Sequence, residues 1–225
     1  MAKYIVLLGP PGAGKGTQAT VVARKLNIAH ISSGNLFREN IDNRTELGLK
    51  AQQFIDSGKL VPDDLTIAMI KERISRPDCR EGAVLDGFPR TVEQAKALDA
   101  LLNENQQKID KVVFINVPDE ELVERLSGRW LCASEKHVYH MKFNPPSKAG
   151  VCDVDGSPLH QRHDDERKTV ERRIREYKLK TAPLIEYYHQ ADKLVEIDGT
   201  LEIESVSKEI FKKINIHPGE EKNRL

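Results

Sequence analysis

The sequence predicts an α/β protein: a P-loop parallel five-stranded sheet flanked by helices, with a helical flap and a small β lid inserted. Three observations predict it. The apolar run Tyr4 Ile5 Val6 Leu7 Leu8 breaks into Gly9 Pro10 Pro11 Gly12 Ala13 Gly14 Lys15 Gly16 Thr17 and then into a helical pattern through Leu26, which spells strand, loop, helix. Short apolar runs recur at 28–31, 82–86, 112–117 and 194–197, with helical patterns between them, as parallel strands with helical crossovers require. From Trp130 to Asp165 the pattern changes to glycines, prolines, single aromatics and short alternations, the mark of a small β unit.

With 225 residues the chain can bury one substantial α/β core and carry one or two inserts. Lys plus Arg and Asp plus Glu both number 35, so the formal net charge is zero. That balance argues against a nucleic-acid or membrane-surface protein, and any strongly anionic ligand must be met by local clusters of arginine. The first apolar run is too short for a secretory signal, no stretch approaches membrane-spanning length, and three cysteines give no disulfide framework. A cytoplasmic protein is the expectation.

The stretch at 9–17 reads as a phosphate cradle. Glycines let successive N–H groups converge on phosphate oxygens, the helix adds its positive N-terminal end, and Lys15 supplies a mobile cation. Gly16 stands where a hydroxyl residue usually follows the lysine, and Thr17 comes one place later. After the strand at 28–31, Ser32 and Ser33 offer helix-capping hydroxyls, and Arg38 lies one turn further on the same side. A second amphipathic helix spans 45–57 with Gly58 as its C-cap, and Pro62 restarts a helix that runs to about Arg73. The domains follow: a core of 1–31, 62–127 and 166–225, a flap at 32–61 and a lid at 128–165.

Gly82 Ala83 Val84 Leu85 Asp86 Gly87 Phe88 Pro89 Arg90 is the second strong signal: a buried strand with an acid at its C-terminal tip, where an α/β sheet places a residue that holds hydrated Mg²⁺ near a nucleotide. Past the strand at 112–117, Pro118 and three acids open a helix that carries Arg125 and ends near Gly128 and Arg129. Two arginines four apart on one helix face repel unless an anion lies between them. Acids at 164–166 start a long helical stretch through Arg173 and Tyr177, Pro183 breaks and resumes it, and a helix over 203–215 closes the fold. The polar tail after His217 is expected to be loose.

The loop at 9–17, with its proline pair and Gly16 Thr17, and the string Asp86 to Arg90 with Thr91 and Gln94 resemble the adenylate kinases, a branch of the nucleoside monophosphate kinases. The insert resembles their long-type lid, with Tyr139 His140, Phe143 Asn144 Pro145 Pro146 and Asp155 Gly156. The resemblance covers the chain up to the tail and implies a monomeric phosphotransferase, ATP + AMP ⇌ 2 ADP, with Mg²⁺ carried by ATP. It implies that ATP meets Gly12, Ala13, Gly14, Lys15, Gly16, Thr17, Arg129, Val138, Tyr139, Gly199 and Leu201. It implies that AMP meets Ser33, Arg38, Lys59, Leu60, Val61, Gly87, Phe88, Pro89, Arg90, Gln94, Arg162 and Arg173, and that Lys15, Asp86, Arg90, Arg125, Arg129, Arg162 and Arg173 carry the transfer. Asn35 departs from the acid common at its position.

Many lids of this type bind structural zinc through CxxC and CxxC or CxxD. Here Cys132 is followed by Glu135, and Cys152 by Asp155, a mixed set less typical of zinc than cysteine with histidine; His137 is a further donor. Zinc at these places and a metal-free hydrogen-bonded cluster both remain open. A UMP/CMP or GMP kinase would share the phosphate sites, whereas a regulatory GTPase would need an NKxD motif that the chain lacks. A zinc-ribbon interaction protein leaves 9–17 and 86–94 unexplained.

Overall fold

The computed structural model describes residues 2–135 and 137–215, so the tail after His217 lies outside the described residues. The first strand, β1 (Lys3–Leu8), is followed by α1 (Lys15–Leu26), β2 (Ala29–Ser32), α2 (Ser33–Asp42), α3 (Glu46–Asp56) and α4 (Asp63–Ile74). Then come β3 (Gly82–Asp86), α5 (Val92–Glu104), β4 (Ile109–Asn116) and α6 (Asp119–Ser127). Three short strands follow, β5 (Arg129–Cys132), β6 (Val138–His140) and β7 (Leu159–His160). The chain closes with α7 (Arg167–Glu176), α8 (Pro183–Gln190), β8 (Leu194–Asp198) and α9 (Ile203–Lys213).

Five strands form one parallel sheet in the order β2-β3-β1-β4-β8. Alternate residues feed two cores, because successive side chains of a strand point to opposite faces. Tyr4, Val6, Leu8, Leu85 and Val112 pack under α4, α5 and α8. Ile5, Leu7, Val84, Val113 and Ile197 pack under α1, α6 and α9. Helices therefore cover both faces, which leaves only the strand ends for a ligand.

The register fixes which ends meet. Leu7 stands opposite Asp86, Asp86 opposite Ser32, and Asn116 opposite Asp198. The loops after β1, β2, β3 and β8 thus emerge at one carboxyl edge, where the order of strands reverses around β1.

The predicted helix boundaries needed small corrections. Pro62 occupies the N-cap of α4 and does not lie inside it, and α3 ends in a turn where the Gly58 and Lys59 amides bond back to Ile55 and Phe54. Between α7 and α8 the helix does not break: it widens into a π-turn at Tyr177–Thr181 and continues, with Pro183 in the first turn of α8. The insert holds a separate antiparallel sheet in the order β6-β5-β7, closed over its own core of Cys132, Tyr139, Cys152 and Leu159.

Candidate active site

Gly12 and Gly14 hold left-handed backbone at φ 90° and 87°, a conformation that side chains rarely adopt, and so curl the loop between β1 and α1. Gly14 occupies the N-cap of α1 without a side-chain cap, and no acid lies in the first turn, which leaves the amides around Gly16 and Thr17 free for an anion. Lys15 Nζ donates to the carbonyls of Gly9 and Pro10, both at 2.8 Å. Burial pulls its ammonium down to about 8; Asp86 works against this, and Arg90, Arg173 and Arg129 add to it. Ala13 is buried and anchors the loop on the core.

Asp86 at the tip of β3 borders the loop: a Cβ on Gly16 would lie 3.5 Å from its Oδ2. Burial alone would raise its carboxyl, but His30 and Lys15 outweigh it, so Asp86 stays below the ordinary carboxylate range. His30 Nε2 sits 3.8 Å from Asp86 Oδ2. An ionised oxygen ligand beside a phosphate cradle fits a hydrated Mg²⁺.

On the other side of Asp86, Ser33 does not cap α2. Ser32 holds the N-cap position without a side-chain bond, and the Ser33 hydroxyl donates to the Gly87 carbonyl at 2.6 Å. Gly87, at φ 72°, holds left-handed backbone that side chains rarely adopt, and a Cβ there would lie 2.9 Å from Arg90 Nη2 and 3.0 Å from Ser33 Oγ and displace them. Arg90 Nε donates to that same carbonyl at 2.7 Å, so one backbone oxygen holds both side chains. Thr181 in the π-turn donates to the Arg90 carbonyl at 2.8 Å. Arg38 bonds Asn35 through Nη2 at 2.9 Å, while its buried Nε has no partner among the described residues. Phe88, Pro89 and Val61 are buried, Leu60 is half-buried and Lys59 is exposed. Gln94 is 1% exposed and held by Asp63 and the Arg90 amide.

The arginines converge. Arg129 makes a two-pronged pair with Asp165 at 2.8 and 2.6 Å, and Arg173 reaches Asp165 at 2.9 Å and Asp164 at 3.1 Å. Arg38 falls to about 10 and Arg162 to about 9, each mainly through burial; Asp164 opposes the fall at Arg38, and Arg38 and Arg129 deepen it at Arg162. Arg90 is lowered too, by burial and then by Arg173. So much partly buried cationic charge in one place, which Asp164 and Asp165 offset by ion pairs only at Arg129 and Arg173 among the described residues, suits a polyanion.

Arg125 and Arg129 do not share a helix face as expected. The helix α6 ends at Ser127, Arg129 opens β5, and Arg125 instead bridges Glu121 at 2.9 Å and the Gly199 carbonyl at 2.8 Å. Gly199 is itself tied to β4 by its amide on Asn116, and Leu201 lies 40% exposed beyond it. Val138 is exposed at the lid surface, whereas Tyr139 turns inward, where its hydroxyl accepts from Asp153 N at 2.8 Å.

In the lid, Cys132, His137, Cys152 and Asp155 place one ligand atom each within 4.8 Å of one another. Glu135 is exposed and takes no part beyond its backbone amide on Cys132 Sγ, so His137 replaces it. The reason is local geometry: Cys132 ends β5, His137 adjoins β6, and the antiparallel pairing of those strands folds 137 back over 132. Burial and Asp155 raise the Cys132 thiol, but bonds from Ser157 and two backbone amides bring it down to about 7. Hydrogen bonds from Cys132 and Ser157 hold Asp155 well below the usual carboxylate range. Two sulfurs, an imidazole and a carboxylate form a donor set that fits zinc.

A family model described as adenylate kinase matches residues 7–193. The chain is 50% identical over 212 residues to a protein of Caldicellulosiruptor bescii named adenylate kinase, covering 94% of this chain and 99% of that one. It is 52% identical over 202 residues to the adenylate kinase of Carboxydothermus hydrogenoformans (90% and 94%), and 51% over 208 to that of Methanothrix thermoacetophila (92% and 96%). The chain belongs to the adenylate kinase family.

Several residues that shape this adenylate kinase site carried no signal in the sequence. Asp164 and Asp165 read as helix-opening acids; they lie in a 3₁₀ turn before α7 and hold Arg129 and Arg173 in place. His30, Asp63 and Thr181 read as ordinary strand and helix residues because their partners are far along the chain. No helix among the described residues is long and apolar enough to cross a membrane.

Proposed function

We propose that this chain performs its family's reaction, the reversible Mg-dependent transfer ATP + AMP ⇌ 2 ADP, by positioning and charge neutralisation without a covalent intermediate. The observation that carries it is the convergence of Lys15, Arg38, Arg90, Arg129, Arg162 and Arg173 on one space, in which burial first and neighbouring cations second lower Lys15, Arg38, Arg90 and Arg162, while the acids Asp164 and Asp165 pair, among the described residues, only with Arg129 and Arg173.

ATP lies on the loop at 9–17 with its adenine toward Gly199 and Leu201, and AMP lies between Arg38, Arg90 and Gln94. A phosphate monoester has a second pKa of about 6, so the AMP phosphate is already a nucleophile at neutral pH and needs no base. Lys15 leaves the carbonyls of Gly9 and Pro10 for the donor phosphates, and Arg129, Arg162 and Arg173 neutralise the charge that gathers between donor and acceptor. Asp86 would hold the hydration shell of Mg²⁺, which, when bound, supplies electrophilic stabilisation of the phosphate oxygens. Asp164 and Asp165 hold Arg129 and Arg173 in position.

Water competes as acceptor, so the flap at 32–61 and the lid at 128–165 close over both nucleotides before transfer, and opening limits turnover. The lid cluster of Cys132, His137, Cys152 and Asp155 would hold a structural zinc. A monomer is what the family leads us to expect, and three cysteines, an odd number, support a reducing cytoplasm as its setting.

A coupled assay of ADP formation from Mg·ATP with AMP, UMP, CMP, GMP or no acceptor tests this. Turnover should depend on AMP and fall steeply with the other monophosphates. ATP hydrolysis without an acceptor, or preference for a pyrimidine, would overturn the acceptor half.

A further inference from the structure

Gln94 lies at the third position of α5, 1% exposed, with its side chain turned toward the start of α4. Its Oε1 accepts from the Arg90 amide at 2.8 Å, and its Nε2 donates to Asp63 Oδ1 at 2.7 Å. The other Asp63 oxygen accepts from the Thr91 hydroxyl at 2.9 Å, and that hydroxyl accepts in turn from the Gln94 backbone N–H at 3.2 Å. The carboxylate is thus gripped from two sides and cannot rotate freely.

This geometry makes the amide directional. A carboxylate only accepts, so the NH₂ end must face Asp63; a backbone N–H only donates, so the oxygen must face Arg90. A carboxamide rotated by 180° would set two acceptors against each other at Asp63 and two donors at Arg90. After these bonds, the amide keeps one spare hydrogen on Nε2 and one spare lone pair on Oε1, in a fixed order.

We propose that Asp63 is a specificity-determining positioning residue, which selects a 6-aminopurine monophosphate over a 6-oxopurine by locking the Gln94 amide in one orientation. The inference rests on the assignment of Gln94 to the acceptor base. A 6-aminopurine offers an acceptor at N1 beside a donor at the 6-amino group. A 6-oxopurine offers a donor at N1 beside an acceptor at O6, the reverse order. A freely rotating carboxamide would flip and bind either; a locked one pairs with the first and sets like against like with the second. Because Gln94 is almost fully buried, the mismatch falls where water cannot repair it.

The test compares kcat/KM for AMP and for inosine monophosphate in the wild-type chain and in Asp63→Ala, Asp63→Asn and Gln94→Leu. Asp63→Ala should lower the AMP-to-IMP ratio by about tenfold or more, with KM for ATP unchanged. Asp63→Asn can turn either a donor or an acceptor to Gln94, leaving only the Arg90 amide to orient it, and should lower the ratio to a value between those of the wild type and Asp63→Ala. Gln94→Leu should collapse it. A ratio that survives Asp63→Ala but collapses in Gln94→Leu overturns the role of Asp63 alone. A ratio that survives Gln94→Leu overturns the base assignment beneath it. Should Asp63→Ala fail to fold, hydrogen exchange of the Gln94 side-chain amide in the wild-type chain decides: the lock requires slow exchange, and exchange at the solvent rate overturns it.

Discussion

Lys15 is the residue on which the donor site depends, and its environment makes a measurable demand. Its ammonium is held at about 8, chiefly by burial, and bound phosphates raise it again. Affinity gained from that charge is complete below pH 8, where Lys15 is protonated before and after binding. Above it, binding must take up a proton and weakens as pH rises. Calorimetry with a non-hydrolysable ATP analogue from pH 7 to 9.5 should show that decline, and Lys15→Met should flatten it. In turnover, Lys15→Met and Arg90→Ala should each cost about 10²- to 10³-fold in kcat, the usual loss when one charge-stabilising contact is removed. Near-normal steady-state rates would place the reaction elsewhere. The charged side chains were legible because motifs carry them: Lys15 by its loop, Arg90 by its strand end. Asp164, Asp165 and Asp63 were not, because an acid that opens a helix and an acid that grips an arginine or an amide look alike until the partner is known.

Among the elements, α3 and the lid sheet respond to single changes in different ways. Thr45 caps α3 by accepting from Gly48 N at 3.0 Å, and its hydroxyl donates to Asn40 at 2.7 Å, tying α3 to α2. Thr45→Ala should lower unfolding stability by about 1 kcal/mol in a denaturant titration, with the shift confined to the midpoint. In the lid, zinc content by atomic emission should approach about one per chain. Chelation or His137→Ala should lower the thermal midpoint, whereas Glu135→Ala should leave the zinc content as it was. A lid indifferent to chelator would be held by its hydrogen bonds alone. Spacing along the chain pointed to Glu135; only the pairing of β5 with β6 brings His137 over Cys132.

For the whole molecule, the prediction concerns closure. A cross-link that pins the lid to α6 or the flap to α7 should abolish turnover while the cross-linked chain still binds nucleotide, since opening and closing must alternate in each cycle. Undiminished turnover of the cross-linked chain would remove that requirement. The strand and helix pattern, the phosphate loop, the insert and most of the basic residues were determined by the sequence alone, because periodicity, glycine placement and motif spacing are local properties of the chain. Only the tertiary structure decided that Arg125 serves Gly199 while Arg129 opens β5, that Ser33 and Arg90 share the Gly87 carbonyl, and that His137 joins the lid cluster. Each of these depends on which strand ends lie side by side. Sheet order and register set that, through burial of residues distant in sequence, and no local pattern records it.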